Sequence, residues 1–183
     1  MPEVPAGSRV LDIGCGTGDT LFNAMFRDYD VVGIDISRSA VERVKERARS
    51  RGLSAEVHVA DVLEGLERFG SFDMVLFHHV LDSLTAEDRR KAVANARKVL
   101  RSGGVVSFQD LSVNDMRFGR GEMVEEGTYL KGNGLACHFF TLGEVQELFF
   151  GYKVRSLDEV THHQRTKEGK LARANIIAVF ERQ

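Results

Sequence analysis

The chain has no tryptophan, only two prolines and only two cysteines in 183 residues. Cys15 and Cys137 alone make neither a disulfide framework nor a metal-ligand set, so reduced thiols are expected. With 43% hydrophobic and 28% charged residues, the composition excludes a disordered or low-complexity chain. Also absent is any apolar run near the roughly 20 residues that span a bilayer. The start, MPEVPAGS, lacks the charged-then-apolar layout of a secretory signal. A cytoplasmic protein without membrane contact is therefore expected. A formal net charge of −2 excludes the global positive field of a nonspecific nucleic-acid binder. The basic stretches Ser37–Arg51 and Lys153–Arg173 read best as a solvated helix face and a charged surface hairpin. This length suits one core, so a single domain over 1–183 is expected.

What is present is an alternation of short β-rich runs with helical periodicity, the pattern of an α/β fold with a parallel sheet. RVLDI (9–13), VVGI (31–34), AEVHVA (55–60), FDMVLF (72–77) and VVSF (105–108) read as strands. Helices are expected over 17–27, after Ser37 as an N-cap, over 85–101, and after the capping box Thr141-Leu-Gly-Glu144. Residues 152–157 and 174–180 predict a closing antiparallel pair. Between Leu111 and Phe140 the pattern lapses into glycines, which predicts a functional loop or lid over 111–140.

The stretch VLDIGCGTGDT (10–20) places a glycine turn between a strand and a helix, where parallel sheets hold ligands. Its glycines are Gly14, Gly16 and Gly18, so the third comes one position early for the dinucleotide pattern GxGxxG. Asp12 and Asp19 flank the turn and would repel a pyrophosphate. A ligand carrying an ammonium and a sulfonium would be attracted, and S-adenosylmethionine carries both. Asp35, at the end of the second strand, is placed to accept hydrogen bonds from ribose hydroxyls. Asp61, ending the third strand beside Val62, is placed to meet an adenine amine. Cys15 is explained by its small size in a tight loop.

By these motifs the chain resembles the class I S-adenosylmethionine-dependent methyltransferases. VLDIGCGTG is similar to their first motif, VVGIDIS to the second, VADVL to the third and FDMVLFHHVLDSL to the fourth. The resemblance implies a Rossmann-like seven-stranded sheet ordered 3-2-1-4-5-7-6, strand 7 antiparallel, with helices on both faces. It also implies cofactor contacts at Asp12, Gly14, Cys15, Gly16, Gly18, Asp35, Ile36, Asp61, Val62, Phe77 and His78, with S-adenosylhomocysteine as product.

Beyond the fifth strand, DLSVNDMRFGRG and GTYLKGNGLACHFFTLGEVQELF resemble the tRNA N3-methylcytidine methyltransferase-like proteins. That resemblance implies a cytidine N3 acceptor, with Asp110, Arg117 and Lys131 in the acceptor region. Asp110 is expected to orient the base, Arg117 and Lys131 to meet phosphate, and Phe118, Phe139 or Phe140 to stack or to fill the core. His138 is a candidate acceptor-side base or a polar loop residue. The family's arginine and aspartate of R-G-D-G are here Lys131 and Asn133. Its long N-terminal extension has no counterpart before the first strand, so a second protein that presents RNA is expected. The rivals are a small-molecule acceptor and a cofactor-binding partner subunit without activity of its own. Monomer and homodimer stay open. The pairs His78-His79 and His162-His163 lack ligand spacing, and no metal is expected.

Overall fold

The computed structural model describes residues 1–132, 134–166 and 169–183; Asn133 therefore lies outside the described residues. In chain order the elements are β1 (Arg9–Ile13), α1 (Asp19–Met25), β2 (Asp30–Asp35), α2 (Arg38–Ser50), β3 (Glu56–Val59), β4 (Phe72–His78) and α3 (Ala86–Val99). They continue with β5 (Leu100–Leu111), β6 (Glu122–Glu125), β7 (Thr128–Leu130), β8 (Ala136–His138), α4 (Leu142–Leu148), β9 (Tyr152–Thr166) and β10 (Gly169–Arg182). The main sheet runs β3-β2-β1-β4-β5-β10-β9, with β10 antiparallel to both neighbours. Numbered without β6, β7 and β8, this is the expected order 3-2-1-4-5-7-6.

The central strands are covered on both faces, as parallel strands require. On one face, Val10 of β1 and Met74 and Leu76 of β4 pack with Leu21 and Phe22 of α1 and Val41 and Val44 of α2. On the other, Leu11, Ile13 and Phe77 join Ala92 and Ala96 of α3, Val145 of α4 and Phe180 of β10. Phe149, just after α4, stacks on Phe180 at 4.4 Å and meets Phe108 edge-on at 5.8 Å. The expected caps form: Ser37, Thr85 and Thr141 each accept a backbone N–H from three residues on.

Three expectations are corrected. Helix α3 stops at Val99 rather than Arg101, because Leu100 pairs with Phe72 and begins β5. The Arg182 guanidinium takes up the carbonyls of Arg97 and Leu100 that the helix end frees. The closing pair is far longer than 152–157 and 174–180. Residues 111–140 also hold a small antiparallel sheet, β6-β7-β8. Its strands of three and four residues are too short for periodicity to register. Its glycine at 121 is there for close approach: φ is 105°, and a Cβ would overlap the Leu130 carbonyl.

Phe149 is 1% exposed and its neighbour Phe150 is 89% exposed. F149A should therefore cost about 3–5 kcal/mol in urea unfolding. F150A should stay within about 0.5 kcal/mol of the wild type.

Candidate functional site

The loop after β1 turns through three left-handed glycines, with φ 65° at Gly14, 53° at Gly16 and 86° at Gly18. Each has a different reason. A Cβ on Gly14 would lie 2.6 Å from Val80 Cγ2, and one on Gly18 would press on Phe22 and Val44 at 3.0–3.2 Å. A Cβ on Gly16 would have only the Gly14 carbonyl within 4 Å, at 3.8 Å, so its backbone faces open space. The Asp35 carboxylate ties this loop down, accepting the N–H of Gly16 and of Ser37, each at 2.8 Å. Asp61 likewise accepts the Leu63 N–H at 2.8 Å and so shapes its own turn.

Between these turns lies a cavity of about 350 Å³. Gly14, Gly16, Asp35, Ile36, Asp61 and Val62 line it, together with His79 and Val80 from the turn after β4. Ile36 is 72% exposed, an apolar side chain left free at the rim. The remaining expected contacts lie elsewhere. Cys15 is buried behind the loop, where burial first and then Asp12 and Asp35 push its thiol up to about 12, too high for a nucleophile at neutral pH. Gly18 seats α1 on α2. Phe77 is fully buried against the far-side core, and the His78 ring bonds Ser107 Oγ at 2.9 Å. Burial holds His78 down to about 4, so it is neutral. Asp19 is off the cavity wall and pairs with Arg47 of α2 at 2.9 Å.

Asp12 is 1% exposed, beneath the loop and off the cavity wall. Its Oδ2 has no hydrogen-bond partner. Burial, reinforced by the nearby Asp35 charge, raises its carboxyl to about 7, against the pull of the Leu21 backbone N–H.

A second cavity, of about 580 Å³, opens on the β10 side of His79 and is lined by Asp82, Arg117, Lys131, His162 and Arg173. His79 thus borders both cavities. Asp110 is fully buried behind it, with Oδ1 3.6 Å from His79 Nδ1 and Oδ2 accepting the Asp82 N–H at 3.1 Å. Burial, with the Asp82 charge, raises Asp110 to about 6, while the Asp110 carboxylate beside its ring raises His79. Arg117 grips Asp115 through Nε at 2.6 Å and Nη2 at 3.0 Å, and Arg173 approaches the same carboxylate at 3.5 Å.

The methyltransferase domain family matches residues 5–170. The chain belongs to that family. It is 30% identical over 160 residues to tRNA N(3)-cytidine methyltransferase METTL2 of Danio rerio, spanning 81% of this chain and 45% of that protein. It is 32% identical over 154 residues to O-methyltransferase 3 of Dictyostelium discoideum, spanning 76% of this chain and 35% of that one. A SAM-dependent methyltransferase structure from Methanosarcina mazei aligns with TM-score 0.80 at 23% identity, covering 98% of this chain and 94% of that one. The fold is thus that of SAM-dependent methyltransferases, and the chain spans less than half the length of those two curated relatives.

In this methyltransferase domain His138 is not at either cavity. It is 2% exposed, with Nδ1 2.7 Å from Thr128 Oγ1 and Nε2 2.8 Å from Glu144 Oε1. Arg89, 3% exposed, joins the group through Glu125 at 3.1 Å and Glu144 at 3.8 Å. These side chains fasten the small sheet to the start of α3 and to α4. Phe139 and Phe140 are core, whereas Phe118 is 40% exposed and meets Tyr129 and Phe139 edge-on. Sequence reasoning missed His79 and Arg89; the only local sign was the second of two histidines at a strand end. Among the described residues no group of three or more His, Cys, Asp or Glu is placed to hold a metal, and no helix is long and apolar enough to cross a membrane.

Two outcomes are expected. The native Asp12 carboxyl keeps a proton that the unfolded chain loses near its ordinary value, so Asp12 ionisation lowers stability as pH rises from about 4 to about 7. In urea unfolding, D12N should therefore gain on the wild type across that window, by roughly 3 kcal/mol at its top. H138A should lose about 2 kcal/mol of stability by stranding Thr128 and Glu144. Its calorimetric affinity for S-adenosylhomocysteine should match the wild type.

Proposed function

We propose that this domain binds S-adenosylmethionine in the cavity under the glycine loop and methylates N3 of a tRNA cytidine seated in the basic cavity beyond His79. The observation that carries this reading is the meeting of the two cavities at one side chain, with Asp35 and Asp61 on one side and Arg117, Lys131 and Arg173, beside Asp82, on the other. The residues fit the cofactor. Gly16 leaves backbone room for an amino-acid tail, Asp35 and Asp61 offer carboxylate lone pairs to ribose and adenine, and Ile36 and Val62 offer apolar cover for the adenine ring. Asp35 and Asp61, the carboxylates on the cavity wall, carry the negative potential that a cationic ligand would meet there. Bound there, S-adenosylmethionine supplies an electrophilic methyl group and leaves as S-adenosylhomocysteine.

On the acceptor side, positioning and electrostatics supply most of the rate of an in-line displacement. Lys131, Arg117 and Arg173 would meet phosphate, Asp115 holding both arginines in place. The segment 111–140 is read as the acceptor lid of a single domain, with Phe118 as its free aromatic face. The similarity to METTL2 supports cytidine N3 in tRNA. The similarity to O-methyltransferase 3 supports methylation on oxygen, which fits the rival reading of a small-molecule acceptor. Because the positive charge is local on a chain of net charge −2, a second protein that presents RNA belongs to the same reading, as does a cytoplasmic location.

Calorimetry should show binding of S-adenosylhomocysteine, weakened at least about tenfold by D35A, which frees the Gly16 and Ser37 N–H groups. Nucleoside analysis after incubation with unmodified tRNA should show N3-methylcytidine, alone or on addition of a tRNA-binding protein. Binding without any methylated nucleoside would transfer the acceptor reading to the small molecule.

A further inference from the structure

We propose that His79, oriented by Asp110, is the side chain that contacts the acceptor next to the atom being methylated, accepting a hydrogen bond from an N–H there. On the reading of the acceptor given above, on which this rests, that N–H is the exocyclic amine beside cytosine N3. The placement is the first reason. His79 lines the glycine-loop cavity and the basic cavity alike, with 47% of its side chain exposed. Its backbone sits at φ 58°, a left-handed conformation uncommon outside glycine and held here by its surroundings. Those surroundings are the Gln109 carbonyl, which accepts the His79 N–H at 2.8 Å, and Val80, wedged against Gly14.

The partners of the ring are the second reason. Asp110 lies 3.6 Å from Nδ1 and is itself held by the N–H groups of Asp82 and Leu111 at 3.1 and 3.2 Å. Gln109 Nε2 lies 3.2 Å from His79 Nε2. An amide donor there suits an unprotonated Nε2 and leaves the ring proton on Nδ1, toward the carboxylate. In the free protein the single Nε2 lone pair is taken by the half-exposed Gln109 amide; when an acceptor binds, its N–H replaces that amide, so His79 offers its acceptor nitrogen where the two cavities join. When the N3 lone pair forms its bond to the methyl carbon, the electron pair of the breaking C–S bond returns to sulfur. No proton is released, and the base becomes cationic. Its exocyclic N–H turns more acidic as that charge grows, so a bond to His79 strengthens in the transition state more than in the ground state.

Protonated His79 has no acceptor nitrogen and puts a positive charge beside the developing one. The charged groups facing it are Asp110 on β5, Asp82 in the turn after β4 and Arg117 beyond β5, with Lys131, His162 and Arg173 around the same cavity. Asp110 favours the protonated ring and Arg117 opposes it, with a net upward direction. Methyl transfer should then rise with pH through a value above the ordinary 6.5 or so of histidine.

The test is single-turnover formation of N3-methylcytidine on unmodified tRNA, between about pH 5.5 and 9, with wild type, H79Q and D110N. S-adenosylhomocysteine affinity is measured in parallel by calorimetry. H79Q should bind S-adenosylhomocysteine within about threefold of wild type, transfer about 10- to 100-fold more slowly at the alkaline end, and lose the rise with pH. D110N should move that rise to lower pH; should it not fold, H79Q alone decides. An H79Q enzyme with the wild-type rate and pH dependence overturns the role of His79 while the acceptor reading stands. A wild type that binds S-adenosylhomocysteine but makes no N3-methylcytidine overturns the acceptor reading, and this inference with it.

Discussion

The contact between Gly14 and Val80 is the constraint on which the site depends. Only a residue without a side chain lets the end of β1 come this close to the turn that follows β4, since any Cβ would stand 2.6 Å from a Val80 methyl. Because Val80 fills that place, the residue before it must leave the strand direction, and His79 does so by taking a left-handed conformation. One steric fact thus closes the glycine-loop cavity and delivers an imidazole to its mouth. The Asp35 carboxylate performs the complementary task from β2, joining Gly16 to Ser37. Gly33 supports both, because Leu21 occupies the space its side chain would need and α1 can settle onto the sheet.

A second constraint is electrostatic and lies out of sight of the cavities. Buried Arg89 and His138 pair with the partly exposed carboxylates of Glu125 and Glu144 between α3, α4 and the small sheet. Such pairs recover little net stability, since burial costs the arginine its hydration while solvent screens the carboxylates. What they do supply is direction: strands of three and four residues have too few ladder bonds to choose their own docking angle. The Ala86 N–H and the Arg89 guanidinium hold Glu125 below its ordinary range despite partial burial, so the ion pair persists through the neutral range. Residues 111–140 are therefore positioned by these charges and by the Phe139–Phe140 step, together with a small cluster of their own around Leu111, Cys137 and Phe139.

That difference explains what could be read in the sequence. The strand-loop-helix unit around Gly14, Gly16 and Gly18 was legible because its geometry follows from contiguous residues, and the sheet order follows from a repeated local pattern. His79 was not legible. Strand alternation carries through His78, and nothing in the local letters shows that Val80 meets Gly14 across the sheet. Asp19 failed for a related reason: proximity in sequence to the loop does not set side-chain direction, and α2 offered Arg47. His138 read as an acceptor-side base or a polar loop residue because its partners, Thr128 and Glu144, are on either side of it in separate elements. The small sheet was invisible because its partners are matched in space, through Arg89, and not in period.

The distribution of charge follows from these placements and bears on what the two cavities can hold together. Asp35 and Asp61 line the first cavity, while Arg117, Lys131 and Arg173 stand around the second with Asp82 beside them, so on a chain of small net charge opposite charges face each other across His79. A cationic ligand on the first side and an anionic one on the second meet this field at least cost; the reverse pairing would set like charges against each other in a partly desolvated space, where they are screened least. Asp115 tempers the positive side by sharing both arginines, which leaves geometry rather than net attraction to select among anions. Selectivity for the acceptor must then come from short-range contacts at the junction. His79 is the side chain that the Gly14–Val80 contact places there.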